Sequence, residues 1–197
     1  MNQKMRLIGV AGTAGAGKDT AANLISQIFG LQNLSSGDFL RVITRQAYKL
    51  APDFNPARDQ LYFVANYLRT QVNPAALVEL CILQARAQQL PGAVISGLRS
   101  MGEAEAVRVA GGIIVGIDAD PHVRYERMTA RQRDVEAQWS LEEFLKQDEY
   151  ENRGLSDSGP GRGIRSIIES ADVLLTNSTT LDDLKVELNS KLAPLLR

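Results

Sequence analysis

The chain has 197 residues, 44% hydrophobic and 23% charged, and its 22 basic and 23 acidic side chains leave a net charge of −1. That length suits one domain around a single core, and nothing in the balanced charge suggests a nucleic-acid or membrane surface. A lone cysteine excludes an internal disulfide and suits a reducing cytoplasm; residues 1–4 carry no signal-peptide pattern, and no apolar run is long enough to cross a bilayer.

Residues 7–11 form a short apolar run before a glycine-rich turn and predict a buried strand. Ala21, Leu24, Ile25 and Ile28 then recur at helical spacing, and Gly30 closes that helix. Residues 33–35 predict a second strand. Phe39, Leu40, Ile43, Ala47 and Leu50 mark one face of the next helix, and the turn-rich stretch 51–56 ends it. Leu61, Val64, Ala65 and Leu68 stripe another helix, with Tyr62, Phe63 and Tyr67 expected to pack beside it. A helix from Pro74 to about residue 89 is apolar on most sides in its first half and holds Cys81, read as a small buried thiol. Strands are expected at 93–96, 112–118 and 173–176, and helices at about 102–110, from Pro121, and at 141–150. His122 reads as an exposed first-turn residue, and Ser140 with Glu143 as a helix cap that Trp139 packs against. Residues 156–163 read as a mobile loop, and Leu181, Leu184, Leu188 and Leu192 stripe a final helix. Short apolar strands alternating with helices predict an α/β fold with a parallel sheet covered on both faces.

The segment after the first strand carries the strongest signal. Gly12, Thr13, Ala14, Gly15, Ala16, Gly17, Lys18 follow G-x-x-x-x-G-K, with Asp19 where Ser or Thr is usual and Thr20 next. Glycines let the backbone curl so that N–H groups point at phosphate oxygens, and the following helix adds its N-terminal dipole. Lys18 supplies a mobile point charge to the outer phosphates. Thr20 is placed to bond the inner phosphate. Asp19 is a hard oxygen donor and reads as a magnesium ligand, direct or through water. This is a P-loop, and it predicts a nucleoside triphosphate site.

Three further charged sets accompany it. On a helix, Asp38, Arg41 and Arg45 share a face opposite the apolar stripe, and two guanidinium groups beside a P-loop suit a second anionic ligand. Arg99 follows the strand at 93–96, and ligands of open parallel sheets sit beyond such strand ends. Arg124, Arg127 and Arg131 fall on one helical face with Arg133 close behind, and Glu126 and Glu136 are available as surface partners. No Asn-Lys-x-Asp segment for reading guanine and no apolar strand ending in Asp-Glu is present.

Leu34-Ser35-Ser36-Gly37-Asp38-Phe39-Leu40-Arg41 resembles the acceptor motif of nucleoside monophosphate kinases, Leu-Ser-x-Gly-Asp-x-x-Arg. Residues 94–99 resemble the segment in which a strand runs into Asp-Gly-x-Arg, with Ser96 in the place of the aspartate. Residues 127–131 are similar to the first lid helix of adenylate-kinase-like enzymes; in the returning stretch Gln147 breaks the usual Arg-Asp, leaving Arg153 as the substitute. Residues 171–177 resemble the last strand of dephospho-CoA-kinase-like proteins.

The resemblance implies a three-layer P-loop fold, a five-stranded parallel sheet with the P-loop strand near its centre. It implies one kinase domain over 1–197, with an acceptor-binding helical segment at about 37–90 and a lid at about 121–155. By resemblance, Lys18, Asp38, Arg127 and Arg131 serve catalysis. Residues 12–20 bind ATP, with backbone contacts from Asn177 near the adenine. Ser36, Asp38, Arg41, Arg69 and Arg99 bind the acceptor. The expected activity is magnesium-dependent transfer of the γ-phosphoryl group of ATP to a small molecule, a nucleoside monophosphate or dephospho-CoA. The departures at Asp19, Ser96 and Gln147 keep a second reading open, a regulatory ATP-binding module with slow or no hydrolysis.

Overall fold

A computed structural model describes residues 5–131, 139–153, 155–156, 159–160, 163–178 and 180–196. Five strands form one parallel sheet: β1 (Arg6–Gly12), β2 (Gln32–Ser35), β3 (Gly92–Leu98), β4 (Ile113–Asp118) and β7 (Val173–Thr176), in the order β2-β3-β1-β4-β7. β1 is therefore central, as expected. Two-residue strands β5 (Leu155–Ser156) and β6 (Gly159–Pro160) pair antiparallel apart from it, within the stretch read as a loop. Residues 157–158 and 161–162 of that stretch, and Arg133 and Glu136, lie outside the described residues, as does the side chain of Arg153.

The strands read as unbroken apolar runs because helices cover both faces. Side chains alternate along β1. Ile8 and Val10 enter a cluster with Ala22 and Ile25 of α1 (Lys18–Phe29) and Leu184 and Leu188 of α9 (Leu181–Leu192). Leu7 and Ala11 enter a second cluster on the opposite face. There they meet Val78 and Cys81 of α4 (Ala76–Ala87), Val107 of α5 (Met101–Val109) and Ile167 of α8 (Ile164–Glu169). The Cys81 thiol is fully buried, and burial pushes its pKa up to about 12, so it is an inert core group as read.

Two local expectations are corrected, and two short elements are added. Along α2 (Ser36–Ala47) Phe39, Leu40 and Ile43 are half-buried and Phe39 packs against the core as expected, but Ala47 is exposed and the fully buried residues are Ser36 and Thr44. The Thr44 hydroxyl donates back to the Leu40 carbonyl at 2.8 Å, which lets a polar residue occupy the buried side. Tyr62, Phe63 and Tyr67 of α3 (Arg58–Tyr67) are exposed at 42%, 63% and 56%, because Val64 and Ala65 alone make that helix's buried contact. A π-helical turn (Leu68–Val72) extends α3, and α8 precedes β7; neither has the length or spacing to show as a periodic signal. The remaining helices, α6 (Pro121–Ala130) and α7 (Leu141–Arg153), follow β4, and among the described residues no helix is long and apolar enough to cross a membrane.

Candidate active site

The loop between β1 and α1 is held from behind by its own carbonyl groups. Ala14 O accepts from Arg124 Nη1 at 3.2 Å, Ala16 O from Asn177 Nδ2 at 2.8 Å, and Thr13 O from the Ala16 amide at 3.2 Å. The Thr13 hydroxyl donates to Asp118 Oδ1 at 3.0 Å. In a planar trans peptide C=O and N–H point opposite ways, so tying carbonyls to the scaffold turns N–H groups toward the open side. Gly15 and Gly17 take positive φ, 77° and 90°. A Cβ on Gly15 would lie 2.5 Å from the Arg124 carbonyl oxygen, and one on Gly17 would overlap Asn177 Nδ2. Gly17 caps α1 without any side-chain hydrogen bond, so no side chain competes for that helix's first amides.

The open side faces a cleft of about 860 Å³. Gly12, Ala14, Gly15, Lys18 and Asp19 of the loop line it, and so do Ser36, Asp38, Arg41, Arg69 and Arg99 from other elements. Arg131 joins them from the end of α6. Burial lowers the Lys18 pKa; the Asp19 carboxylate, 3.6 Å away, opposes this, while Arg99 and Arg131 add to it. Those two arginines therefore direct their charge at the same ammonium.

At the start of α2, the Ser35 hydroxyl caps the helix by accepting from the Asp38 amide at 3.2 Å. Asp38 in turn accepts from Arg41 Nη1 at 3.2 Å. Arg45, expected on the same face, donates to the Phe54 carbonyl at 3.3 Å instead. A register shift between β1 and β3 beside Ser96 bends the strand end where Arg99 leaves it. Ser96 itself is buried beside the cleft at 4% exposure.

Glu103 organises the cleft wall around Arg69 and Arg99. It is 1% exposed, and its Oε1 accepts from Arg69 Nε and Nη2 at 3.1 and 3.0 Å. Its Oε2 accepts from the Arg99 amide at 2.6 Å.

The three arginines read as one face of α6 divide among three tasks. Arg131 lines the cleft. Arg127 donates from Nη1 to the Asn177 carbonyl at 2.8 Å and does not line it. Arg124 is buried at 1% exposure and pairs with Asp148. Asn177 also departs from expectation. Its amide is committed to the Asp118 carbonyl at 2.8 Å and its carbonyl to Arg127, so it supports the loop through its side chain. Thr13, Ala16, Gly17 and Thr20 are not among the residues that line the cleft. Ser140 and Glu143 form the expected cap, and their hydrogen bonds hold the Glu143 pKa down. Trp139 before them lies under the Arg58 guanidinium at 5.6 Å.

Sequence reasoning passed over Asp118, Asp148 and Glu103, and it placed Arg124 on a shared helical face without its partners. Ser100-x-x-Glu103 does carry a capping pattern, which points to a helix start and conceals the buried ion pair.

Comparison with known proteins supplies the last observation. A family model described as an AAA domain matches residues 8–150. No curated protein matches significantly. Among solved structures, TT1252 from Thermus thermophilus superposes with a TM-score of 0.64 at 20% identity, covering 98% of this chain and 99% of its own. A gluconokinase from Sinorhizobium meliloti 1021 gives 0.55 at 19% identity over 99% and 95%. Shikimate kinase from Acinetobacter baumannii, in complex with shikimate, gives 0.55 at 16% identity over 99% and 97%. At these identities the likeness establishes the fold, the five-stranded P-loop architecture seen in small-molecule kinases. With more than half of its length matched, from the P-loop strand through the Asp148 helix, the chain belongs to the AAA-domain family of P-loop proteins.

Proposed function

We propose that the chain is an ATP-dependent phosphotransferase of the cytoplasm that transfers the γ-phosphoryl group to a small nucleotide-like acceptor, a nucleoside monophosphate or dephospho-CoA. One observation carries this reading: Lys18 of the P-loop and Arg41 and Arg99 of two other elements line the same cleft. A hydrolase needs only the first set. The gluconokinase and the shikimate kinases that share this fold support the same class.

In this reading residues 37–90 hold the acceptor and 121–155 form the lid of one domain. Lys18 and the loop amides hold the donor phosphates, Arg41 and Arg99 grip the acceptor's anion, and Arg131 adds positive charge where the phosphoryl group passes. Asp38 orients the attacking group and, for a hydroxyl acceptor, takes its proton. Arg127 acts through the Asn177 carbonyl that it holds. Among the described residues no cluster of three or more His, Cys, Asp or Glu could hold a metal alone. Asp19, 67% exposed and on the cleft wall, fits the single carboxylate that magnesium commonly takes alongside phosphate oxygens. Magnesium there would supply charge neutralisation for the transferring group. Asp19→Ala is accordingly expected to weaken Mg·ATP more than metal-free ATP; equal losses in a titration of both would make Asp19 a helix-start residue only.

Arginine's planar fork grips two phosphate oxygens where lysine offers a point charge. Arg41→Lys or Arg99→Lys should raise the acceptor KM about tenfold or more and leave ATP affinity, measured without acceptor, nearly unchanged. A parallel fall in ATP affinity would move that arginine to the donor site. The test of the whole reading is ADP release across a panel of nucleoside monophosphates and dephospho-CoA. Acceptor-dependent turnover is expected. Slow, acceptor-independent turnover would favour the second reading, a regulatory ATP-binding module, which Ser96 supports because a serine stands where related kinases carry an aspartate.

A further inference from the structure

Among the described residues Arg124 is the largest fully buried side chain, and it does not itself line the cleft. A buried guanidinium must satisfy five N–H groups, and four are accounted for. Nε donates to the Ala119 carbonyl at 3.0 Å. Nη1 donates to the Ala14 carbonyl at 3.2 Å and to Asp148 Oδ1 at 2.5 Å, and Nη2 donates to Asp148 Oδ2 at 2.7 Å. The Phe144 ring lies 5.4 Å from the same guanidinium. Phe144 and Asp148 are four residues apart, so one face of α7 grips Arg124 with a ring and a bidentate carboxylate. The opposite side of the same group reaches into the P-loop, and the Arg124 backbone lies so close to Gly15 that no Cβ fits between them.

We propose that Arg124 is a positioning residue for the phosphate loop: clamped by Asp148 of α7, its guanidinium fixes the Ala14 carbonyl and thereby keeps the loop amides aimed at the donor phosphates. The inference rests on reading that loop as a triphosphate site, and goes beyond it by making α7 part of donor binding. A charge this deep in the protein has a simpler alternative use, to hold α6 and α7 together. The two roles part when the pair is replaced by apolar groups. Apolar side chains of similar volume commonly substitute for a buried ion pair without loss of stability, so a purely structural role would be restored. The bond to Ala14 would not be, because an apolar side chain has no donor.

The experiment is a titration of full-length protein with magnesium and the fluorescent nucleotide mant-ATP, with thermal melting as the control for folding. The double variant Arg124→Met with Asp148→Leu should melt within a few degrees of the wild type and bind mant-ATP about tenfold or more weakly. Native-like melting with affinity within twofold of the wild type overturns the proposal and leaves a structural pair. Should the double variant not fold, Arg124→Lys decides. Its ammonium still pairs with Asp148 but cannot span Ala14, Ala119 and the carboxylate together, so the same tenfold loss is expected, and affinity within twofold again overturns the proposal. Wild-type protein and Lys18→Ala run alongside. If the wild type fails to bind mant-ATP, the loop reading falls and this inference with it. If the wild type binds and Lys18→Ala does not, while both Arg124 variants bind normally, this inference alone falls.

Discussion

Lys18→Ala should lower phosphoryl transfer by about 10²–10³-fold, the cost of removing one preorganised group from developing charge, while the protein melts at or slightly above the wild-type temperature. The two halves of this expectation have one cause. Burial lowers the Lys18 pKa, and Arg99 and Arg131 lower it further, against the partial help of Asp19. The folded state thus holds that proton more weakly than the unfolded chain, whose lysine titrates near 10.5. By linkage the charged lysine opposes folding; the penalty is fully present below the folded-state pKa and fades as pH rises toward the unfolded value. Alanine removes the penalty at neutral pH, so the gap between the two melting temperatures should narrow in alkaline buffer. A cation kept against such a gradient is poised for a ligand that brings negative charge. The measurement is turnover and melting on the same preparations. Near-native turnover would return the loop to a structural role, and a large loss of stability would show that Lys18 serves folding.

The parts of this site legible in the sequence are those whose chemistry is local. The P-loop is contiguous, its glycines are demanded by positive φ at Gly15 and Gly17, and its flanking strand and helix announce themselves by period. Asp38 and Arg41 are three residues apart on one helix and do meet in the cleft. Arg99 needed only the rule that ligands lie beyond strand ends. What escaped is made of partners distant in the chain. Glu103 joins Arg69 across 34 residues, and Arg124 joins Ala14 across 110. Helical spacing put Arg124, Arg127 and Arg131 on one face, but a face says nothing about which neighbour each side chain meets. In the fold they go to the core, to Asn177 and to the cleft. The exposed Tyr62, Phe63 and Tyr67 fail for the related reason that aromatic residues are buried only when a neighbouring element covers them.

Glu103→Ala should destabilise the protein by about 3–5 kcal/mol, the cost of removing one partner of a buried ion pair. For a chain of this length that corresponds to a fall in melting temperature of roughly 6–20 °C. Both oxygens of the carboxylate are engaged, one by the Arg69 guanidinium and the other by the Arg99 amide. Alanine would leave a guanidinium that is only 10% exposed without its counter-charge, and a backbone N–H without its acceptor. Exposed pairs such as Lys146–Glu142 behave differently. Their side chains are more than 70% exposed, and breaking them should change stability by less than about 1 kcal/mol. The comparison of Glu103→Ala with Glu142→Ala under urea therefore isolates burial as the cause. The pair Glu103→Leu with Arg69→Leu should recover most of the loss, since apolar replacement removes both desolvated charges together. The site should not recover with the fold, because Arg69 no longer lines the cleft with a donor and the Arg99 turn has lost its tether. Full stability in the single variant would mean that water reaches Arg69 once the carboxylate is gone, and the ion pair would then have no part in holding the cleft wall around Arg69 and Arg99 together.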